Sequence, residues 1–591
     1  MKTQEKLELL RKAMKKESVD AYIVYHSDPH ISEYLPDHWK AREWLSGFTG
    51  SAGTLAVTQE HAALWTDSRY FIQAEQQLKG SGIELCKMGL PETPDIPSWL
   101  AINLNRQGLV ATNGKVVSVS SAKQLKKALL NYGFDVSFKY DLISDIWEDR
   151  PKMPKQKAYM HSLEYAGISI QEKLGSIRKQ LLASDATAYL MCALDEVCWT
   201  FNIRGTDIEY NPVVISYGYV DQDKAYLFID SDKIDDNLSD LFRNEEVEVK
   251  GYKKLEKFLS KLGKNTVLLF DPSKTNLAVK KSISSKVKTI EQTGVVSIIK
   301  ARKKPIEIEG IRKAMTQDGV ALVKFFKWLY DNVGKIEITE LDIAQKLRDF
   351  RGESEYFVGE SFDTIAGFKD HGAIVHYSAT EETSYSIKPD GFLLIDSGGQ
   401  YLNGTTDITR TVHLGEPTEQ EKVDYTLILK GMIQLSKAKF PASTRGSQLD
   451  TLARMALWSK GLNYGHGTGH GVGYFLNVHE GPQQIRPENH LPIEVGMVMS
   501  DEPGIYRAGQ YGIRIENLIV CQEDETNDYG RFLSFSTLTL CPIDTKAINK
   551  DILLDEEKSW LNNYHKQVYE QLSPYLDKEH KEWLKEATKD I

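Results

Sequence analysis

The chain has 591 residues, of which 41% are hydrophobic and 26% are charged. At about 150 residues per domain, this length predicts several folded domains and disfavours long disorder. Acidic residues number 83 against 73 basic ones, which gives a net charge of −10. That balance disfavours nucleic acid as the main partner, because phosphate binding needs a concentrated basic surface.

The N-terminus and the cysteine content bear on where the protein works. Residues 1–14 form an amphipathic stretch without the uninterrupted apolar core of a signal peptide. No run approaches the roughly 18 apolar residues of a membrane span. The five cysteines are few, odd in number and lack CxxC spacing, which indicates neither a disulfide framework nor a thiolate zinc site. We therefore expect a cytoplasmic protein that does not enter a membrane.

Two segments near the N-terminus resemble each other. Each runs from a helix that contains an arginine to a buried strand, a glycine-containing loop and a second strand, with Arg11 and Tyr22 in one copy and Arg178 and Tyr189 in the other. The arginine-to-tyrosine spacing is the same in both, which predicts a duplicated α/β domain.

Two charged, proline-broken joints divide the chain. The first covers residues 149–155 and the second covers residues 300–305, where a long helical pattern begins. They predict three domains, with bounds 1–155, 156–302 and 303–591. The last stretch, around Trp560 to Tyr575, has helical spacing and is predicted to be a packing helix.

The third segment carries carboxylates where strands could present them. A short apolar strand ends at Asp396, and an alternating strand begins at Asp407. A hairpin turned at Asn403-Gly404 would pair Asp396 with Thr411 and place both carboxylates on one face. A tight turn there would leave them about 13 Å apart, so a shared ligand would need a wider loop. The sequence leaves that choice open.

A glycine-rich loop adds imidazole groups. Four glycines alternate with His466 and His470 in residues 466–473, so the backbone can approach a ligand closely and a neutral imidazole can bind a metal. A nucleotide-binding loop is the rival interpretation. It is disfavoured because the Walker ending is missing and no apolar strand leads directly into the loop.

Further acidic groups follow at residues 498–504 and 513–517, where alternation puts Arg514 and Glu516 on one face. Four carboxylates with one histidine form a hard-donor set, suited to Mn or another divalent ion at a paired site. Two ions about 3.5–4 Å apart activate water and polarise a carbonyl, as hydrolysis requires. Each acidic residue alone is more often a solvated or capping group, so the prediction depends on their conjunction.

These motifs together resemble the Xaa-Pro aminopeptidases, also called aminopeptidase P, in their long, three-domain form. The matching segments of the third domain are 361–365, 372–377, 395–398, 404–411, 466–471, 478–482, 501–504 and 513–517. Segments 44–54 and 64–71 are similar to that family's N-terminal domain, and 193–196 with 202–205 to the second domain. The resemblance covers nearly the whole chain in order.

The resemblance implies an α/β and α+β multidomain protein, with two creatinase-like α/β domains followed by a pita-bread catalytic domain and a C-terminal helical extension. It also implies two divalent metal ions, with Mn(2+) expected. Asp396 would bind one ion, Asp407 and Glu516 would bridge both, and His470 and Glu502 would complete the other. The residues expected to contact substrate are His376, His466, His479 and Arg410, with His376, His479 and Glu502 as the catalytic residues.

The implied function is an aminopeptidase that hydrolyses the N-terminal Xaa-Pro bond of peptides, acting as a homodimer through its C-terminal domain. Its partners would be peptides with proline at the second position. One alternative is a prolidase-type dipeptidase, which resembles the catalytic domain but acts on dipeptides and lacks the second of the two N-terminal domains. Another is a catalytically dead copy of the fold that binds peptides or proteins. A dead copy and a metal-free creatinase are both disfavoured, because all five ligand residues are present.

Overall fold

The computed structural model describes residues 1–104 and 108–591, which form two compact units. The N-terminal unit comprises residues 1–163 and 168–299, and the C-terminal unit comprises residues 164–167 and 300–591. Within the described residues, no helix is both long enough and apolar enough to cross a bilayer. All five cysteines are buried and free of disulfide bonds.

The first half of the N-terminal unit is an α/β layer structure. Its strands are β1 (Ala21–Tyr25), β2 (Thr54–Thr58), β3 (Ala62–Thr66), β4 (Glu84–Lys87), β5 (Leu109–Ala111) and β6 (Asp135–Ser137). Its helices are α1 (Thr3–Lys16), α2 (Ala41–Ser46), α3 (Phe71–Gln77), α4 (Ile96–Asn103) and α5 (Val119–Leu130). The strands form one sheet in the order β4-β3-β2-β1-β5-β6.

The second half repeats this layout. Its strands are β7 (Tyr159–Met160), β8 (Ala188–Met191), β9 (Ile203–Arg204), β10 (Ser216–Asp221), β11 (Ala225–Ile229), β12 (Val247–Gly251), β13 (Val267–Phe270) and β14 (Lys288–Glu291). The helices of this stretch are α6 (Leu163–Ala166), α7 (Ile170–Ala183), α8 (Leu194–Thr200), α9 (Asp236–Asn244), α10 (Leu255–Leu259), α11 (Leu277–Ser282) and α12 (Val295–Ala301). Residues 164–166 of α6 and the last two residues of α12 belong to the C-terminal unit. Six strands form a sheet in the order β12-β11-β10-β8-β13-β14, and β7 pairs with β9.

The predicted duplication is confirmed by the pairing of the strands. In the first sheet β2 pairs antiparallel with both β1 and β3, and in the second sheet β10 pairs antiparallel with both β8 and β11. All other strand pairs of the two sheets are parallel. The matched arginines also make the same contact. Arg11 Nε donates to Thr58 O, and Arg178 Nε donates to Asp221 O, each across 3.0 Å. In each copy the accepting residue pairs with the first residue of the central strand.

The C-terminal unit begins with the long helix α13 (Pro305–Asn332), as the sequence predicts. The other helices are α14 (Glu340–Arg351), α15 (Glu419–Ser436), α16 (Gly446–Trp458), α17 (Asp555–Leu572) and α18 (Lys578–Ala587). The strands are β15 (Phe357–Glu360), β16 (Ile365–Phe368), β17 (Phe392–Ser397), β18 (Gly399–Tyr401), β19 (Gly404–Thr405), β20 (Ile408–His413), β21 (Lys439–Pro441), β22 (Gly469–Gly471), β23 (Glu480–Ile485), β24 (Val498–Asp501), β25 (Gly504–Arg507), β26 (Tyr511–Arg514), β27 (Asn517–Asn527) and β28 (Gly530–Thr537). The packing helix predicted near the C-terminus is α17, which buries Leu561, Tyr564 and Val568.

The strands of this unit form separate sheets that converge on the predicted ligands. One has the order β16-β17-β20, and a six-stranded sheet has the order β21-β28-β27-β24-β22-β23. Smaller sheets are β15-β18-β19 and β25-β26. Every residue of β17 and β20 is buried, so any charged group on these strands is held in the interior.

The register of the predicted hairpin corrects the expectation from the turn signal. Tyr401 pairs with Gly404, so the turn lies at Leu402-Asn403 and Asp396 pairs with Thr409 instead of Thr411. Gly404 belongs to β19 and packs against α13, where a Cβ atom would lie 3.1 Å from the Cβ of Ala314. Asp407 is therefore only two residues from the partner of Asp396, or about 7 Å along the strand. No wider loop is needed.

Candidate metal centre

Backbone pairing brings two of the predicted ligands, Glu502 and Glu516, together. Asp501 pairs with Asn517 across β24 and β27, and the same register continued by one residue sets Glu502 opposite Glu516. The Glu516 N–H donates to Thr409 O across 3.1 Å, which ties this sheet to β20. The Glu502 N–H donates to Thr468 O across 2.8 Å, which ties it to the glycine-rich loop.

His470 enters from β22, at the glycine-rich loop. A Cβ atom on Gly469 would lie 1.9 Å from Ser500 O, so the close approach of β22 to β24 requires glycine there. The Nε2 atom of His470 lies 3.4 Å from Asp407 Oδ2 and 3.4 Å from Glu502 Oε1. Asp407, His470 and Glu516 each offer one ligand atom, and these three atoms lie within 4.8 Å of one another.

Asp396 joins the cluster through a chain of hydrogen bonds. Arg514 donates from Nη2 to Asp396 Oδ2 across 2.6 Å and from Nη1 to the Tyr506 hydroxyl across 2.7 Å. That hydroxyl lies 2.8 Å from Nε2 of His466. Thr409 links the other side, because its hydroxyl donates to Glu516 Oε2 across 2.8 Å.

The electrostatics of the cluster show an excess of buried negative charge. Burial raises the pKa of Glu516 well above its usual range, and the Asp407 and Asp396 carboxylates raise it further. Burial also raises the pKa of Asp396 and of Glu502, although Arg514 and His470 respectively oppose these shifts. Burial disfavours a charged His470, but its hydrogen bond to Asp407 and the charge of Glu502 prevail and raise its pKa to about 9. Bringing these carboxylates together therefore calls for a bound cation.

The donor set fits a divalent metal. Oδ1 of Asp396 and Oε1 of Glu516 are buried and make no hydrogen bond, although a buried carboxylate oxygen normally has a partner. Carboxylate oxygens with one imidazole nitrogen suit hard or borderline divalent ions. Asp396, Asp407, His470, Glu502 and Glu516 thus have the chemistry to hold metal ions.

Of the two outer histidines, His479 contacts this cluster. The His479 ring packs edge-on against the His470 ring, with centroids 4.3 Å apart. The next residue, Glu480, is buried in an ion pair with Lys300 and Lys303, at 2.6 and 2.5 Å. His376 is partly buried in the loop between β16 and β17, and Ile365 of β16 pairs with Asp396.

Arg410 differs from its predicted role. It pairs with Ile395 in the hairpin, one position away from Asp396 and Thr409, so it projects from the opposite face. Its guanidinium is buried and donates to Asn517 Oδ1, to the Tyr564 hydroxyl and to four backbone carbonyls, those of Thr409, Glu516, Cys541 and Pro542. The structure thus supports a scaffolding role for Arg410 instead of substrate binding.

Arg514 is the residue that sequence reasoning left out of the site. Its alternation with Glu516 placed it on the correct face, which was the only available signal. The sequence does not show that its partners are Asp396, Thr409 and Tyr506, since the first two lie more than 100 residues away.

Four family models match the chain in order. "Creatinase/Prolidase N-terminal domain" matches residues 6–139 and a second model with that description matches 149–307. "Metallopeptidase family M24" matches residues 309–523, and "C-terminal region of peptidase_M24" matches 531–591.

Whole-chain relatives carry consistent names. The chain is 39% identical to "Aminopeptidase P2" of Arabidopsis thaliana over 99% of this chain and 88% of that protein. It is 41% identical to the "Probable Xaa-Pro aminopeptidase P" of Laccaria bicolor over 99% of this chain and 93% of that protein. Among solved structures, it is similar to the X-prolyl aminopeptidase of Caenorhabditis elegans, described as a cytosolic enzyme with a di-nuclear active site. That similarity has 34% identity and a TM-score of 0.95, and it covers 100% of both chains.

Proposed function

The chain belongs to the Xaa-Pro aminopeptidase family of M24 metallopeptidases, and from this membership we propose that it removes the first residue of peptides whose second residue is proline. Proline has no N–H and a fixed φ, so a peptidase that grips that N–H fails and a shaped pocket is needed. The observation that carries the proposal is the convergence of Asp407, His470 and Glu516.

The cofactors in this proposal are two divalent ions, with Mn(2+) as the resident metal. Asp396 would hold one ion, His470 and Glu502 would hold the other, and Asp407 and Glu516 would contribute to both. The di-nuclear description of the Caenorhabditis elegans enzyme and the buried, unpaired oxygens of Asp396 and Glu516 support two ions. When bound, such ions activate water and polarise the scissile carbonyl.

The chain's own residues position substrate and move protons. His376 and His479 are assigned to the substrate's carbonyl oxygen, where hydrogen bonds stabilise the charge that develops in the transition state. His466 is assigned to substrate binding. Glu502 is assigned to proton transfer, because it is a carboxylate at the metal centre where the attacking water would be activated.

The alternatives from the sequence are less well supported. A prolidase is expected to lack the second of the two N-terminal domains, whereas this chain matches the N-terminal domain description twice, at residues 6–139 and 149–307. The aminopeptidase relatives also match at least 99% of this chain. A catalytically dead copy would be expected to have lost ligands, and here Asp407, His470 and Glu516 converge.

Substrate specificity is tested with a peptide panel. Metal-stripped enzyme reloaded with Mn is offered Xaa-Pro-Yaa peptides, matched Xaa-Ala-Yaa peptides and Xaa-Pro dipeptides. We expect release of the first residue from the Xaa-Pro-Yaa set only. Efficient cleavage of the alanine peptides would contradict proline specificity, and cleavage of dipeptides alone would support the prolidase alternative.

Metal identity is tested separately. Parallel reloading with Mn, Zn, Co or Mg, with elemental analysis of each preparation, should give about two ions per chain and the highest rate with Mn. A single ion per chain at saturation would contradict the paired site.

We also infer a cytoplasmic homodimer that assembles through the C-terminal unit. Met455 and Trp458 are large apolar residues that remain 57% and 48% exposed. They lie three residues apart on α16 and so share one helix face, which a second copy of the chain could cover. The five free cysteines and the cytosolic description of the Caenorhabditis elegans enzyme support a cytoplasmic location.

A further inference from the structure

A buried carboxylate organises the loop that carries His376. Glu340 is the first residue of α14 and is fully excluded from solvent. Its Oε1 accepts from the Phe368 N–H across 2.8 Å and from His371 Nδ1 across 2.9 Å. Its Oε2 accepts from the Tyr377 hydroxyl across 2.9 Å and from the Tyr385 N–H across 2.8 Å.

Aromatic stacking closes the same loop on itself. The His371 ring lies between two tyrosine rings, with its centroid 4.3 Å from that of Tyr377 and 3.6 Å from that of Tyr385. Residues 368 and 385, near the two ends of the loop, thus bind the same carboxylate as the middle of the loop. The Glu340 side chain therefore replaces the regular backbone pairing that a strand would have provided.

The loop returns to the end of β17 that carries Asp396. A Cβ atom on Gly367 would lie 2.7 Å from the Cα of Gly372, so the chain after β16 folds back along that strand. Ser378 Oγ then donates to Asp363 Oδ2 across 2.7 Å. His376 accordingly lies alongside residues 363–367, of which Ile365 pairs with Asp396.

We propose that Glu340 is a positioning residue for the aminopeptidase reaction. By fixing the loop through Tyr377 and His371, it holds His376 at the substrate. The inference rests on the proposed role of His376. Each Glu340 oxygen accepts at least two donors, since His371 Nδ1 also lies 3.0 Å from Oε2. A glutamine in its place would present an NH₂ group to one of those donor sets. The loop would have to move, and a shift of about 1 Å at a catalytic group can lower the rate about 10²-fold.

The test is a double-mutant cycle between Glu340→Gln and His376→Ala, read as kcat on an Xaa-Pro-Yaa peptide. We expect Glu340→Gln to lower kcat about 10-fold or more in the wild-type background and less than about twofold in the His376→Ala background. Metal per chain should be unchanged. The control is Glu381→Gln, an exposed carboxylate of the same loop, which should retain the wild-type kcat.

A second, milder variant keeps the test valid if Glu340→Gln fails to fold. Tyr377→Phe keeps the ring that stacks on His371 and removes only the hydroxyl that donates to Glu340, so it should lower kcat less and show the same dependence on His376. An equal factor in both backgrounds, or a wild-type kcat for Glu340→Gln, would overturn the positioning role. A wild-type rate for His376→Ala alone would contradict the proposed role of His376 and, with it, this inference.

Discussion

Arg514 donates from Nη2 to Oδ2 of Asp396 across 2.6 Å, and the two side chains are only 2% and 12% exposed. Its Nε donates to the Thr409 hydroxyl across 3.1 Å, so the guanidinium spans both strands of the hairpin. The remaining oxygen of Asp396 has no hydrogen bond. Arg514 therefore orients one predicted metal ligand and leaves its other oxygen for a cation.

The planar guanidinium geometry of Arg514 should contribute more to kcat than its positive charge does. Arg514→Lys keeps the positive charge but cannot reach Asp396, Thr409 and Tyr506 at once, so kcat should fall about 10-fold or more. Metal per chain, measured by elemental analysis at saturating Mn, should remain at the wild-type value. A wild-type kcat would contradict the orienting role.

Arg410→Lys is the matched substitution on the other face of the hairpin. Arg410 donates hydrogen bonds to buried carbonyls, to Asn517 and to Tyr564. Replacing its guanidinium should therefore lower the free energy of unfolding by about 1–3 kcal/mol. The folded fraction should keep KM and kcat within about twofold. Urea unfolding with steady-state kinetics measures both, and a selective rise in KM would restore the substrate-binding prediction.

The metal content of alanine variants should distinguish the histidine that binds metal from the histidines that contact substrate. His470→Ala should lose metal and activity together, and excess Mn should partly restore the rate. His376→Ala and His479→Ala should keep their metal while kcat falls about 10²–10³-fold, because each removes one transition-state hydrogen bond. Elemental analysis alongside kcat decides the roles, which are wrong if His470→Ala keeps both ions or either other variant loses them.

Glu196 should make the N-terminal unit less stable as pH rises. Burial, with the nearby Asp195 charge, raises its pKa from 4.5 to about 7. The folded state therefore holds this proton more tightly than the unfolded state, so the stabilisation is complete below about pH 4.5 and is lost as the pH rises through about 7. This pH-dependent stabilisation is about 3 kcal/mol, because each tenfold difference in proton affinity corresponds to about 1.4 kcal/mol.

Glu196→Gln provides the measurement, because glutamine keeps an acceptor for Ser297 and does not titrate. The urea midpoint of this variant should fall less than that of the wild type between about pH 5 and pH 8. Parallel curves for the two proteins would show that Glu196 does not supply this pH dependence.

Trp458→Glu should produce a monomer. A charge on the exposed face of α16 would oppose burial against a second copy, and sedimentation at micromolar concentration reports the mass. The matched control is Tyr575→Glu, which also alters an exposed aromatic residue of the C-terminal unit and should remain dimeric. A monomeric wild type would contradict the homodimer itself.

Much of the fold and site follows from local chemistry. The repeated arginine-to-tyrosine spacing predicted the two matching sheets, and alternation placed Asp407 on the same face as Asp396. These features depend on strand periodicity and on side chains close in the chain, which a sequence displays directly. The donor types likewise indicated a hard cation before any tertiary contact was known.

The tertiary structure decided what depends on distant partners. The hairpin turns at Leu402-Asn403 and not at Asn403-Gly404, and Gly404 packs against α13, a helix distant in the sequence. Arg410 and Arg514 are both arginines that follow alternating strand patterns, yet only contacts formed more than 100 residues away make one a scaffold and the other a partner of Asp396. In the sequence, Glu340 is simply the first residue of a helix. Only the folded structure brings it into contact with the loop that carries His376. Side-chain chemistry is encoded locally, whereas the role of a buried polar group is fixed by the donors and acceptors that folding brings to it.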